Sequence, residues 1–185
     1  MVPIMELWLP IVLATLLCFI AGAILHMVLP LHKNDWRPIP DEDGVIAALR
    51  KAGVTAGNYM IPGMSPETMK DPAKMQRFTE GPSGVMTIRP PGPFSMGPLL
   101  VRQLLFHLVV SFVIGYAVSR TLGPGAEYLV LFQVVATLSM LTYFAGTVPE
   151  AIWYFQPRHY VLARFIDSVV WGLLTAGSFA GFWPE

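Results

Sequence analysis

The sequence predicts an all-α membrane protein: a four-transmembrane-helix bundle with a small α/β-type insert between helices 1 and 2. Three observations lead there. Apolar residues make up 54% of the 185-residue chain and only 13% are charged, about half the usual share in a soluble domain. The 24 charges are unevenly placed, with 15 of them in residues 31–98. The remainder contains four segments of roughly 20 mostly apolar residues, the length that crosses about 30 Å of hydrocarbon.

The same arithmetic excludes several classes. A mean hydropathy of +0.56 is foreign to a water-soluble enzyme or a disordered tail. Twelve basic and twelve acidic groups leave no net field to hold a phosphate backbone, so the expected partner is the lipid bilayer and not nucleic acid. The one cysteine, Cys18, supports neither a disulfide framework nor a multi-cysteine zinc site.

Residues 1–30 hold the first span, Leu7 to Leu29. Its leading segment, MVPIMELW, lacks Lys and Arg, and the apolar stretch outruns a cleavable leader, so it is expected to remain as an anchor. Residues 31–98 form the polar insert. Asp41-Glu42-Asp43 starts a helix, with carboxylates at the cap and first turn, Arg50 and Lys51 in the last turn, and Gly53 as the stop. Asn58–Ile61 and Val85–Ile88 read as short strands. Between them, Ser65-Pro66-Glu67 and Asp71-Pro72 are cap-then-proline starts, predicting a helix of about ten residues that ends at Gly81.

Residues 99–185 hold the other spans: Leu99 to Ser119, Tyr128 to about Phe155 with Pro149 inside, and about Phe165 to Trp183. Trp8, Tyr128, Trp153, Tyr154, Phe182 and Trp183 fall at span ends, where amphipathic rings favour the headgroup level. Four spans put both termini and Arg120 on one side. The insert, Arg158 and Arg164 lie on the other. The excess of Lys and Arg there predicts a multi-pass protein of an inner (plasma) membrane, with the insert cytoplasmic and both termini outside.

Helices in lipid pack through small residues at four-residue spacing. Such stripes occur in every span: Ala14, Cys18 and Gly22; Ser111 and Gly115; Gly146; and Gly172, Ala176 and Ala180. The first three stripes extend to an ionisable residue: His26, His107 and Glu150. Asp167 adjoins the fourth. At 1.5 Å per residue His26 lies about 6 Å in from Pro30, His107 about 13 Å in from Pro98, Glu150 about 10 Å in from Pro157 and Asp167 about 5 Å in from Arg164. Arg102 and Arg164 enter from the same side. The six residues therefore form a candidate intramembrane polar cluster, because charge inside a bilayer seeks partners.

Three readings fit that cluster. The first is structural: arginines paired with carboxylates, and histidines bonded across seams. The second is a cofactor or metal site, with haem b held by His26 and His107, or an ion held with Glu150 and Asp167. The third is a path for protons or small molecules. Six of ten methionines lie at 60, 64, 69, 75, 86 and 96. Thioethers suit Cu(I), but irregular spacing favours packing of a small core. No nucleophile–base spacing marks a catalytic residue.

At His32-Lys33-Asn34-Asp35-Trp36, Pro40-Asp41-Glu42-Asp43, Pro90-Pro91-Gly92-Pro93 and Gly123-Pro124-Gly125-Ala126-Glu127-Tyr128, the chain resembles a group of uncharacterised bacterial four-span inner-membrane proteins. The resemblance covers most of the chain. It implies the four-span layout and a bacterial membrane, and no activity. The sequence thus leads to a non-enzymatic role: a structural or accessory membrane protein with no cofactor, assembling with itself or with a larger membrane complex. The alternative is a haem- or metal-binding redox or transport protein.

Overall fold

The computed structural model describes residues 1–185 and resolves into two units. One comprises Met1–Asp35, Ser95–Ile152 and Gln156–Glu185. The other comprises Trp36–Phe94 with Trp153–Phe155.

The first unit is made by four helical segments long and apolar enough to cross a membrane: Ile4–Val28, Met96–Thr121, Tyr128–Trp153 and Arg158–Gly181. A short 3₁₀ turn leads into α1 (Trp8–Ala23). Pro10 lies in its first turn, where the missing N–H has no intrahelical partner to lose. Beyond Ala23 the helix widens into a π turn over Ile24–Val28, in which the Leu29 N–H donates to the Ile24 carbonyl. Pro30 then stops it, and Pro30–His32 makes a 3₁₀ turn.

The second segment is α5 (Met96–Thr121). The third is broken. α6 (Tyr128–Phe144) ends at Ala145-Gly146, and α7 (Thr147–Trp153) follows. Pro149 explains the position of the break: its missing N–H leaves the carbonyl four residues back, at Ala145, without a helical partner, and its ring crowds the same carbonyl. The fourth segment, α8 (Arg158–Gly181), begins directly after Pro157.

One end of this unit is fastened by backbone. The Val2 N–H donates to Ser119 O, the Gly125 N–H to Pro184 O, and the Trp183 indole to Gly123 O. Both termini and the α5–α6 turn are thereby tied together. Gly125 adopts φ +69° there, a conformation that favours glycine.

Packing runs through small residues. A Cβ added at Gly172 would meet Met140 Cγ at 2.6 Å and the Ala136 carbonyl at 3.3 Å, so α8 lies against the α6 backbone. At Gly115 the Phe179 ring sits 3.0 Å from where a Cβ would stand, with Ile11 at 3.4 Å. Gly22 faces the Trp171 indole. Ala14, Cys18, Ser111 and Ala176 are fully buried, and Ala180 is half-buried against the same core. Gly146 departs from its expected seam role: it lies in the break after α6, and nothing stands within 4 Å of a Cβ built there. The outward faces stay apolar, with Trp8, Val12, Leu16, Ile20, Val109 and Val113 exposed. Lipid is the solvent that suits such surfaces.

In the second unit, α2 (Glu42–Lys51) is capped by Asp41, whose carboxylate accepts the Gly44 N–H at 3.0 Å. Gly53 follows at φ +69°. Strand β1 (Gly57–Ile61) pairs antiparallel with β2 (Gly84–Ile88), Tyr59 opposite Met86. The single helix expected before Gly81 is two: α3 (Pro66–Lys70), capped by Ser65, and α4 (Pro72–Glu80), capped by Asp71. Asp71 breaks them because the residue before a proline is driven out of the helical region. The methionines do not build a core here. Met64 and Met69 are exposed, and no residue of this unit is fully buried.

The two glycines of opposite packing give a test. Gly172→Val should destabilise the protein in detergent by about 1–3 kcal/mol through overpacking. Gly146→Ala should shift the thermal midpoint little. Thermal unfolding followed by circular dichroism measures both.

Candidate metal centre

The end of the four helices opposite the chain termini carries a network of ionisable groups. It begins with Asp167, a fully buried carboxylate on α8. Arg164 lies one turn earlier on the same helix and donates through one terminal nitrogen to Asp167 Oδ2 at 3.3 Å. Its other terminal nitrogen lies 3.5 Å from Asp35 Oδ2, and its guanidinium stands 4.9 Å over the Tyr160 ring.

Two histidines complete the network from α1 and the turn after it. The wide turn of Ile24–Val28 presents His26, whose Nε2 lies 3.3 Å from Asp167 Oδ2 and 3.3 Å from Arg164. The Pro30 reversal folds His32 back over His26, so that the rings stack with centroids 3.8 Å apart and planes 5° from parallel. His32 bridges two carboxylates. Its Nδ1 is 2.7 Å from Asp35 Oδ2 and its Nε2 is 3.1 Å from Asp167 Oδ1. The bridging loop is held by the His159 ring, which bonds the Asn34 carbonyl at 2.9 Å.

The chemistry follows from these contacts. An ionised carboxylate only accepts hydrogen bonds. His32 faces one with each ring nitrogen, so it must donate from both, as an imidazolium, or one carboxyl must carry the proton. By charge count, two carboxylates face one guanidinium, and one further positive charge balances the site. The Asp35 and Asp167 side chains are 2% and 0% exposed, so water cannot supply that balance. A metal ion can. His26, His32 and Asp167 each present one ligand atom, all within 4.8 Å of one another. Asp35 on Nδ1 then orients His32 in the manner of a carboxylate–histidine–metal triad. Asp35 Oδ1, buried without a hydrogen-bond partner, is a further acceptor at the site.

The six residues expected to cluster divide into three groups. His26, Arg164 and Asp167 meet. His107 lies apart: fully buried, its Nε2 3.0 Å from the Gln103 amide and its Nδ1 3.1 Å from the Tyr143 hydroxyl. With both nitrogens engaged, it offers no free axial ligand for a haem shared with His26. Arg102 and Glu150 do not join the cluster. Both are exposed and neither forms an ion pair. Conversely, His32 and Asp35 were assigned by sequence to the polar insert. Their signal was present: a histidine six residues beyond His26 across Leu29-Pro30, with a carboxylate three residues further on.

Comparison with known protein families, with curated proteins and with solved structures finds no match to this chain.

A mutant cycle tests the network. Asp167→Leu should cost about 3 kcal/mol, because it strands a partly buried guanidinium. The Arg164→Leu/Asp167→Leu pair should cost less than the sum of its single changes. Glu150→Leu should stay within about 0.5 kcal/mol of the parent. Chemical denaturation in mixed micelles supplies the four values.

Proposed function

We propose that this chain is an integral membrane protein that binds one divalent first-row transition-metal ion at His26, His32 and Asp167. The observation that carries this reading is the convergence of two imidazoles and one carboxylate within 4.8 Å, backed by Asp35 on the far nitrogen of His32. Two histidines and one carboxylate suit zinc and iron(II), and leave coordination positions open to another ligand. An ion on the His32 ring nitrogen that faces Asp167 takes the place of the one proton shared between them, so uptake of the ion releases a proton.

Arg164 tunes the affinity. Its guanidinium lies within 3.3 Å of both the His26 and Asp167 ligand atoms, so it repels an incoming cation at close range. Arg164→Gln should therefore bind the ion more tightly than the parent.

Elemental analysis of protein purified in mild detergent tests the proposal, together with calorimetric titration with Zn²⁺. About one equivalent of metal is expected, lost in Asp167→Asn and in His32→Gln. Sub-stoichiometric metal and no saturable heat would overturn it.

In the same reading, the ion site lies on the cytoplasmic side of an inner membrane, at the end of α1 from which the polar insert departs. The excess of Lys and Arg in residues 31–98 supports that orientation. Reporter fusions at either terminus should be active outside the cytoplasm and silent within it. Activity in the cytoplasm would reverse the orientation.

A further inference from the structure

The break in the third span opens a groove on the outer face of the first unit. α6 packs along α8, but α7, beyond Ala145-Gly146, does not. Between α7 and the start of α8 lies an open groove of about 540 Å³, within the range of small-molecule sites. Val148 and Ile152 form one wall, and Val161, Leu162 and Phe165 the other. Both sets recur at helical spacing, so each is one face of its helix. Phe144, the last residue of α6, meets Phe165 edge to face at 5.3 Å and closes the inner end.

The opposite end is polar. Arg158 precedes Val161, Leu162 and Phe165 on the same face of α8 and lines the groove with them. The stripe from Arg158 to Phe165 is about 10 Å long. Arg158 is also the first residue of the fourth apolar span, the level at which a cation meets headgroups while its stem stays on hydrocarbon. It is exposed and forms no ion pair. Glu150, the one acid of α7, lies two residues from both Val148 and Ile152, so it leaves that helix on the side away from the groove. The Gln156 amide lines the charged end and adds neutral donors.

Two observations choose the occupant. The walls are bulky side chains, with Ala151 the one small residue among them, whereas helices in lipid pack through seams of small residues. An acyl chain therefore suits the groove better than a second helix. At its mouth stands a guanidinium with no counter-charge. A zwitterionic headgroup carries its own cation beside its phosphate, and an anionic one does not. We propose that this groove binds one anionic phospholipid, with the phosphate on Arg158 and Gln156 and the start of an acyl chain between α7 and α8. The proposal is independent of metal at His26, His32 and Asp167.

The experiment uses the full-length protein in micelles with equimolar phosphatidylglycerol and phosphatidylcholine of distinct masses. Native mass spectrometry counts the lipids each chain retains. One phosphatidylglycerol is expected, preferred about fivefold over phosphatidylcholine, the worth of one basic side chain near a membrane surface. Arg158→Gln should remove the preference, and Arg102→Gln, at an exposed arginine outside the groove, should leave it. Val148→Trp, which fills the groove, should abolish retention; Arg158→Gln, at an exposed and unpaired position, decides the matter if Val148→Trp does not fold. Equal retention of the two lipids by the parent overturns the proposal. So does a preference that survives Arg158→Gln or is lost equally in Arg102→Gln, or a dimer that Val148→Trp converts to monomer.

Discussion

A carboxylate inside a membrane span must find positive charge close by or give up its own. Asp167 has no exposure at all, and the local structure around it answers that requirement. Arg164 comes from one turn earlier on α8, His26 from the end of α1, and His32 from beyond a proline reversal. Tyr160 supports the guanidinium and His159 pins the loop that carries Asp35. Each contact is modest by itself. Together they bind the end of α1 to the start of α8. This is the end of the unit where α1, α5 and α8 enclose a cavity rather than a filled core.

Much of the fold was legible because it rests on local rules. Span lengths, the Asp41 cap, the stop at Gly53 and the small-residue stripes of α1, α5 and α8 each follow from a few neighbouring residues. The site was less legible, because counting residues along a helix gives depth but not direction. Arg102 and His107 are five residues apart on α5, about 140° around the helix, so they leave it on different faces. Gln103, four residues from His107, is the one that reaches it. Glu150 follows the break at Ala145-Gly146. Counting faces through that break assigns it a direction that the chain no longer has.

His32 and Asp35 were missed for a different reason. Composition places the boundary of the first span at Pro30, and everything after it reads as polar insert. The proline that ends the helix also turns the chain back, so residues outside the span by sequence pack against residues inside it. A terminating proline is thus a place to look for polar residues that return to the helix end.

The wide turn at Ile24–Val28 belongs to the same logic. Along α1 the buried stripe Ala14, Cys18, Gly22 advances by four residues per step, and in an α-helix each such step overshoots one full turn. By His26 the accumulated drift would carry the side chain away from α8. A π turn takes more residues per revolution, which reduces the overshoot and keeps His26 directed at Asp167. The deviation costs regular hydrogen bonding over a few residues and gains a partner for a buried charge. The two terms have the same electrostatic origin, since unmet polar groups are expensive in lipid. The irregular turn, the proline reversal and the charged network are therefore one solution to the placement of a single carboxylate.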